Sequence, residues 1–147
     1  MEKMKKRVEI LLVEDNPGDI RLTVEALKEN TMHNKLNVVN DGAEALTFLY
    51  KRGKYADAPR PDLILLDLNL PKKNGLEVLE EIKKDPSLKR IPVVIFTASS
   101  AQRDILNSYN HHANCYITKP VHLEQFIAVV KSIENFWLTV VKLPQGD

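Results

Sequence analysis

Hydrophobic and polar positions repeat five times in one order: a short apolar run, a polar turn, then a stretch of helical period. The apolar runs occupy residues 8–13, 36–39, 63–66, 93–96 and 115–117. Val, Ile and Leu dominate three of them with little alternation, which predicts strands buried on both faces of a parallel sheet. Asn16-Pro17-Gly18-Asp19 opens the first helix, with Pro17 where a missing N–H costs nothing, and Ile20, Val24 and Leu27 form its buried stripe. Ala45, Leu46 and Leu49 mark the second, after the Asp41-Gly42 turn. The third begins near Gly75 with Leu76, Leu79 and Ile82 inward, and Glu77, Glu80, Glu81, Lys83 and Lys84 toward solvent. Ser99 followed by Gln102 predicts a capping box for the fourth, whose apolar stripe is Ile105, Leu106 and Tyr109. Leu123, Phe126, Ile127, Val130, Ile133 and Trp137 define the fifth and longest. This alternation predicts an α/β sandwich with right-handed crossovers and helices on both faces. It leaves the strand order open. Residues 50–61, with Gly53, Pro59 and Pro61, read as an exposed loop.

Composition narrows the class. The 147 residues suit one domain, and 44% apolar content is enough for a core. With 21 Lys and Arg against 20 Asp and Glu, broad electrostatic capture of nucleic acid or a membrane is excluded as the main function. One cysteine, Cys115, excludes an internal disulfide framework and a Cys-based zinc site. Neither a membrane span nor a signal-peptide core is apparent, so the expectation is a cytoplasmic single domain.

The chemistry gathers at strand ends. In open α/β sheets ligands bind beyond the carboxyl ends of the strands. Glu14 and Asp15 follow the first apolar run, Asp67 the third and Thr97 the fourth, while Lys119 lies just past the fifth. Three carboxylates, a hydroxyl and an ammonium should therefore share one edge of the sheet. Clustered carboxylates raise one another's pKa unless they are compensated. Lys119 offsets one charge. A hard cation in oxygen coordination, Mg²⁺ by preference, would offset the rest and points to phosphoryl transfer.

At these residues the chain resembles a response-regulator receiver domain of two-component signalling. The similarity runs from about Lys6 to Ile133. It rests on Leu-Val-Glu-Asp at 12–15, Leu-Leu-Asp-Leu-Asn-Leu-Pro at 65–71 with Gly75, Thr97-Ala98 and Lys119-Pro120. Separations of 30 residues from Asp67 to Thr97 and 22 from Thr97 to Lys119 fit the family. The resemblance implies a flavodoxin-like (βα)5 three-layer sandwich with parallel strand order 2-1-3-4-5. It also implies that Asp67 is the phosphoacceptor. Glu14, Asp15, Asp67 and the main-chain carbonyl of Asn69 would hold Mg²⁺, Glu14 through water, while Thr97 and Lys119 would bind phosphoryl oxygens. Tyr116 matches the switch aromatic, turning inward as Thr97 moves to the phosphoryl group. Ala98 leaves room for the phosphodonor, and Asn69 and Ser99 flank the route of the hydrolytic water. Neither of these is an acid or a base, so unusually fast self-dephosphorylation is not expected. A cis peptide is implied before Pro120.

Other features resemble a subgroup. The long 50–61 connection, the Asn-Pro-Gly-Asp-Ile start of the first helix and Phe136-Trp137 resemble stand-alone receivers paired with bacterial phytochrome-type kinases. His122 stands where receivers often carry an acidic helix cap, and reads as exposed. His111-His112 reads as a solvated loop, Cys115 as a small core residue, and the basic arm 1–6 as a terminus. His33 has no companion. Phe136, Trp137, Leu138, Val140, Val141 and Leu143 either fold back or form an interface. The expected division is an arm (1–6), a receiver (7–135) and a C-terminal extension (136–147).

With 28 residues after Lys119 there is no room for an output domain, so the signal should leave by protein contacts. A sensor histidine kinase is the expected partner, and self-association would use the helix 4–strand 5–helix 5 face or the extension. The chain is expected to act as a phosphoacceptor and not as an enzyme on other substrates. A haloacid-dehalogenase-type phosphatase with Asp67 as nucleophile would need an acid two residues on, where Asn69 stands. A degenerate docking receiver sits poorly with an intact acceptor set.

Overall fold

The computed structural model describes residues 8–28, 34–120 and 122–137. The strands are β1 (Val8–Val13), β2 (Asn34–Val39), β3 (Leu63–Leu66), β4 (Val93–Thr97) and β5 (Cys115–Thr118). The helices between and after them are α1 (Pro17–Lys28), α2 (Gly42–Leu49), α3 (Gly75–Lys84), α4 (Gln102–Asn110) and α5 (Leu123–Asn135). All neighbouring strands pair in parallel, in the order β2-β1-β3-β4-β5. This is the flavodoxin-like order that the resemblance implied.

Alternate residues of each inner strand serve two separate cores. Leu11, Val13, Ile64, Leu66, Val93 and Ile95 pack with Leu46, Phe48, Leu79 and Ile82 of α2 and α3. Ile10, Leu12, Leu63, Leu65, Val94 and Phe96 pack with Ala26 and Leu27 of α1 and Phe126, Val130 and Ile133 of α5. Burial on both faces explains why these strands read as continuous apolar runs. β2 starts two residues before its apolar run, and β4 and β5 each run one residue further, through Thr97 and Thr118. Sheet pairing is a backbone matter, so polar side chains at strand ends do not interrupt it.

Caps fix the helix starts, with one departure. Asp41 accepts from Glu44 N at 2.7 Å ahead of α2, and Asn74 with Glu77 forms a full capping box at α3. No such box opens α4. Its N-cap is Ala101, which places Gln102 first in the helix rather than third. The Ser99 hydroxyl instead donates to Asp104 Oδ2 at 2.6 Å, a charged and hence stronger acceptor. The expected stripe of α4 also faces partly outward: Leu106 is 58% and Tyr109 48% exposed, while Ser108 is fully buried. α4 lies along β5, an edge strand with a neighbour on one side only, so less of it is covered.

The 50–61 connection is docked rather than loose. A 3-10 turn at Gly53–Tyr55 carries the Tyr55 ring to 5.1 Å from Phe48. Arg60 donates to the Ser87 hydroxyl and carbonyl at 3.1 and 2.8 Å. The Lys119–Pro120 peptide is trans, because no cis bond occurs among the described residues; the expectation of a cis bond is corrected. Trans is the lower isomer by roughly 0.5–1 kcal/mol, and here it is compatible with the bond from Lys119 N–H to Thr97 O at 2.7 Å. Beyond α5 the Trp137 ring meets Phe136 edge-on at 5.8 Å and packs on the α1–α5 core, while Phe136 is exposed. The arm 1–6, His33 and the tail from Leu138 onward lie outside the described residues. Among the described residues no helix is long and apolar enough to cross a membrane.

Candidate functional site

The parallel sheet turns five strand ends to one edge, and short backbone bonds fix what leaves each of them. Glu14 N donates to Val39 O at 3.0 Å and Asp67 N to Val13 O at 3.1 Å, so both acids leave the sheet still paired to it. Glu14, Asp67, Thr97 and Lys119 are buried, whereas Asp15, Asn69 and Ala98 are exposed and Ser99 is half-buried. The bend after β3 closes on itself through Leu70 N to Leu68 O and Gly75 N to Leu68 O, at 3.1 and 2.9 Å. A Cβ on Gly75 would lie 2.2 Å from Asp67 O, so only glycine lets α3 start against this backbone.

Asp67 is the most heavily bonded of the three clustered acids. Its Oδ1 accepts from the Thr97 hydroxyl at 2.7 Å and from Asn69 N at 3.1 Å, and its Oδ2 from Lys119 Nζ at 2.9 Å. Lys119 Nζ also bonds Glu14 Oε1 and reaches Asp19 Oδ2 at 2.9 Å. Carboxylate oxygens of Glu14, Asp15 and Asp67 lie within 4.8 Å of one another. Three hard anionic donors at that spacing fit a divalent cation with oxygen preference, and the fit includes the exposed Asp15 side from which an ion can enter.

Electrostatics separate the two buried acids. Burial raises Glu14 from 4.5 to about 7, with Asp67 adding repulsion and Lys119 offsetting part of the shift. Burial acts on Asp67 in the same sense, but the bonds from Thr97, Lys119 and Asn69 outweigh it and hold its carboxyl below the usual range. Burial also works against the Lys119 ammonium, yet its bonds to Glu14, Asp19 and Asp67 raise it above the ordinary lysine value. An ionised carboxylate is thus kept beside a permanent cation.

The outer residues join this centre to α4. Tyr116 OH donates to Ser99 O at 2.8 Å, and Ser99 N approaches Thr97 Oγ1 at 3.5 Å. The Tyr116 ring is half-buried against the α2–α3 core. Pro120 is half-buried just past the lysine. Asp19 is the site residue that sequence reading missed. Its position in the first turn after β1 is the available signal, but in sequence it reads only as part of a helix start. Cys115 is half-buried, and burial raises its thiol, in keeping with a core role. His111 Nδ1 lies 2.7 Å from Asn107 O, and neither it nor His112 joins a group of potential metal ligands among the described residues. His122 is exposed and precedes α5 without a side-chain cap.

Comparison with known proteins agrees with this geometry. Residues 10–131 match the model of the response regulator receiver domain. The chain is 53% identical over 135 residues to the response regulator Rcp1 of Synechocystis sp., spanning 92% of each chain. It superposes on the phosphorylated cyanobacterial phytochrome response regulator RcpA with a TM-score of 0.93 and 55% identity, covering 95% of this chain and all (100%) of that one. The Mn²⁺-bound form of Rcp1 gives a TM-score of 0.91 and 51% identity over 94% of this chain and 99% of that one. With its acids, hydroxyl and lysine at the ends of β1, β3, β4 and β5, the chain belongs to the response-regulator receiver domains of two-component signalling.

Proposed function

We propose that the protein is a single-domain response regulator whose Asp67 accepts a phosphoryl group from the phosphohistidine of a sensor histidine kinase. One observation carries this reading: the Asp67 carboxylate is held ionised between Thr97 and Lys119 beside two further acids. Asp67 Oδ2 accepts one protein donor where Oδ1 accepts two, which leaves it the freer oxygen for attack. The new bond joins Oδ2 to phosphorus as the P–N bond breaks, and the electron pair leaves with the imidazole nitrogen.

Glu14, Asp15, Asp67 and the Asn69 carbonyl would hold Mg²⁺. When bound, the cation neutralises phosphoryl charge during transfer. Thr97 and Lys119 supply the protein's own donors to phosphoryl oxygens. Thr97 gives up Asp67 Oδ1 for a phosphoryl oxygen. Because Tyr116 is tied to Ser99 O, that shift in the β4–α4 turn is passed to the outer face. Phosphorylation selects this state only because it contacts one arrangement better than the other. Ala98, small and exposed at the rim, leaves space for the donor. Asn69 and Ser99 tune the hydrolytic approach without acid or base chemistry, and the Ser99 hydroxyl is engaged by Asp104.

The partner kinase is of phytochrome type in this reading, supported by the likeness to RcpA, described as a phytochrome response regulator. Such a partner places the chain in the cytoplasm. Leu106 and Tyr109, three residues apart on α4, are exposed and offer a surface for homodimer or partner contact. The phosphatase alternative has no support, since the Asn69 amide cannot protonate a leaving group.

Incubation with Mg²⁺ and acetyl phosphate, read by intact mass, should add one phosphoryl group to wild type and none to Asp67→Asn. No adduct on wild type, or equal labelling of the variant, overturns the reading.

A further inference from the structure

Lysine has three N–H donors, and in this protein all three are committed: to Glu14, to Asp67 and to Asp19. Two of these acceptors belong to the carboxylate group suited to a cation; Asp19 does not. Asp19 also differs in setting. Its side chain is 27% exposed, against 3% for Glu14 and 8% for Asp67, so it approaches the ammonium from the rim. Its position is built rather than accidental. Asp19 N donates to Asn16 Oδ1 at 3.0 Å and Asp19 O accepts from the Thr23 hydroxyl at 2.8 Å, which fixes the residue in the first turn of α1.

We propose that Asp19 is a positioning residue that competes with the phosphoryl group for Lys119 and thereby limits how tightly the phosphorylated state is held. The inference rests on the reading of Asp67 as phosphoacceptor. Once Asp67 Oδ2 is esterified, it is a poor acceptor and its share of the ammonium passes to the phosphoryl oxygens. Asp19 remains on the other side, drawing the same cation outward and adding a like charge near the incoming anion. Both effects weaken the phosphoryl contact. Glu14 does not have this freedom, because it is enclosed and is itself one of the cation-type acids.

The test uses beryllium fluoride with saturating Mg²⁺ as the phosphoryl mimic, followed by ¹⁹F NMR. Asp19→Asn keeps the backbone bonds that start α1 and removes the charge. It should lower the half-saturating concentration by roughly three- to fivefold, the upper part of the range for a partly exposed ion pair. Asp19→Glu restores the charge and should return it to within about twofold of wild type. A purely structural Asp19 would move the value the other way, with weaker binding and lower thermal stability in Asp19→Asn. Unchanged or weaker binding in Asp19→Asn, or Asp19→Glu behaving like Asp19→Asn, overturns the inference. Wild type that fails to bind, or Asp67→Asn that binds equally, removes the phosphoacceptor reading instead.

Discussion

Lys119 and Glu14 set opposite demands within one buried cluster, and Glu14 carries the consequence for pH. Its carboxyl is raised from 4.5 to about 7, so between those values the folded protein holds a proton that the unfolded chain has released. Without metal, this group therefore imposes a penalty on the fold that grows as pH rises from 4.5 and is complete above about 7. Thermal unfolding in chelator should show wild type losing stability between pH 5.5 and 8 more than Glu14→Gln does. Parallel profiles would contradict the assignment. A cation must displace that proton, so Mg²⁺ binding near pH 7 should release protons and weaken below it, which calorimetry in two buffers detects. Asp67, Thr97, Lys119 and the Glu14-Asp15 pair were legible in sequence because each follows an apolar run. Asp19 was not, because its partner is 100 residues away in the chain and no local pattern marks it.

Among the elements, α4 and the β3–α3 bend are the informative ones. The Ser108 hydroxyl, on the buried side of α4, has no hydrogen-bond partner among the described residues. Ser108→Ala should stabilise the protein by about 1–2 kcal/mol in urea unfolding, since it removes an unmet polar group and favours helix. A loss of stability would mean that the hydroxyl has a partner. Gly75→Ala places a methyl against Asp67 O and should cost roughly 1–3 kcal/mol. It should also weaken Mg²⁺ binding, because the displaced backbone carries the central acid; intact metal affinity would show that the bend yields without moving Asp67. Helix existence was readable from period, and α1 and α3 started where Pro17 and Gly75 indicated. The α4 cap and stripe misled for a physical reason. Ser99 found a carboxylate, and an edge strand leaves much of its covering helix in water.

At the scale of the molecule, a parallel sheet with two cores explains how a chain of near-neutral net charge holds so acidic an edge. The apolar runs foretold the strands and their double burial, but not which strand neighbours which. That order came from family resemblance, because crossover helices of similar length permit several arrangements. A cation that binds only the folded state should stabilise it by about 2.7 kcal/mol at a hundredfold excess over Kd. Mg²⁺ should thus raise the midpoint of wild type in a concentration-dependent way, and raise it much less in Asp15→Asn; equal shifts would place the ion elsewhere.

The bond between Lys119 and Glu14 joins residues 105 positions apart. Contacts of such long range close late, because the chain between them must be ordered first. During synthesis β1 and β3 can pair while β5 is still within the ribosome. Until Lys119 emerges, Asp67 lacks the ammonium that bonds its Oδ2 in the folded chain. On the proposed reading of Asp67, a chain cut before β5 should therefore take up little phosphoryl group from acetyl phosphate, and intact mass of the truncated chain would check it.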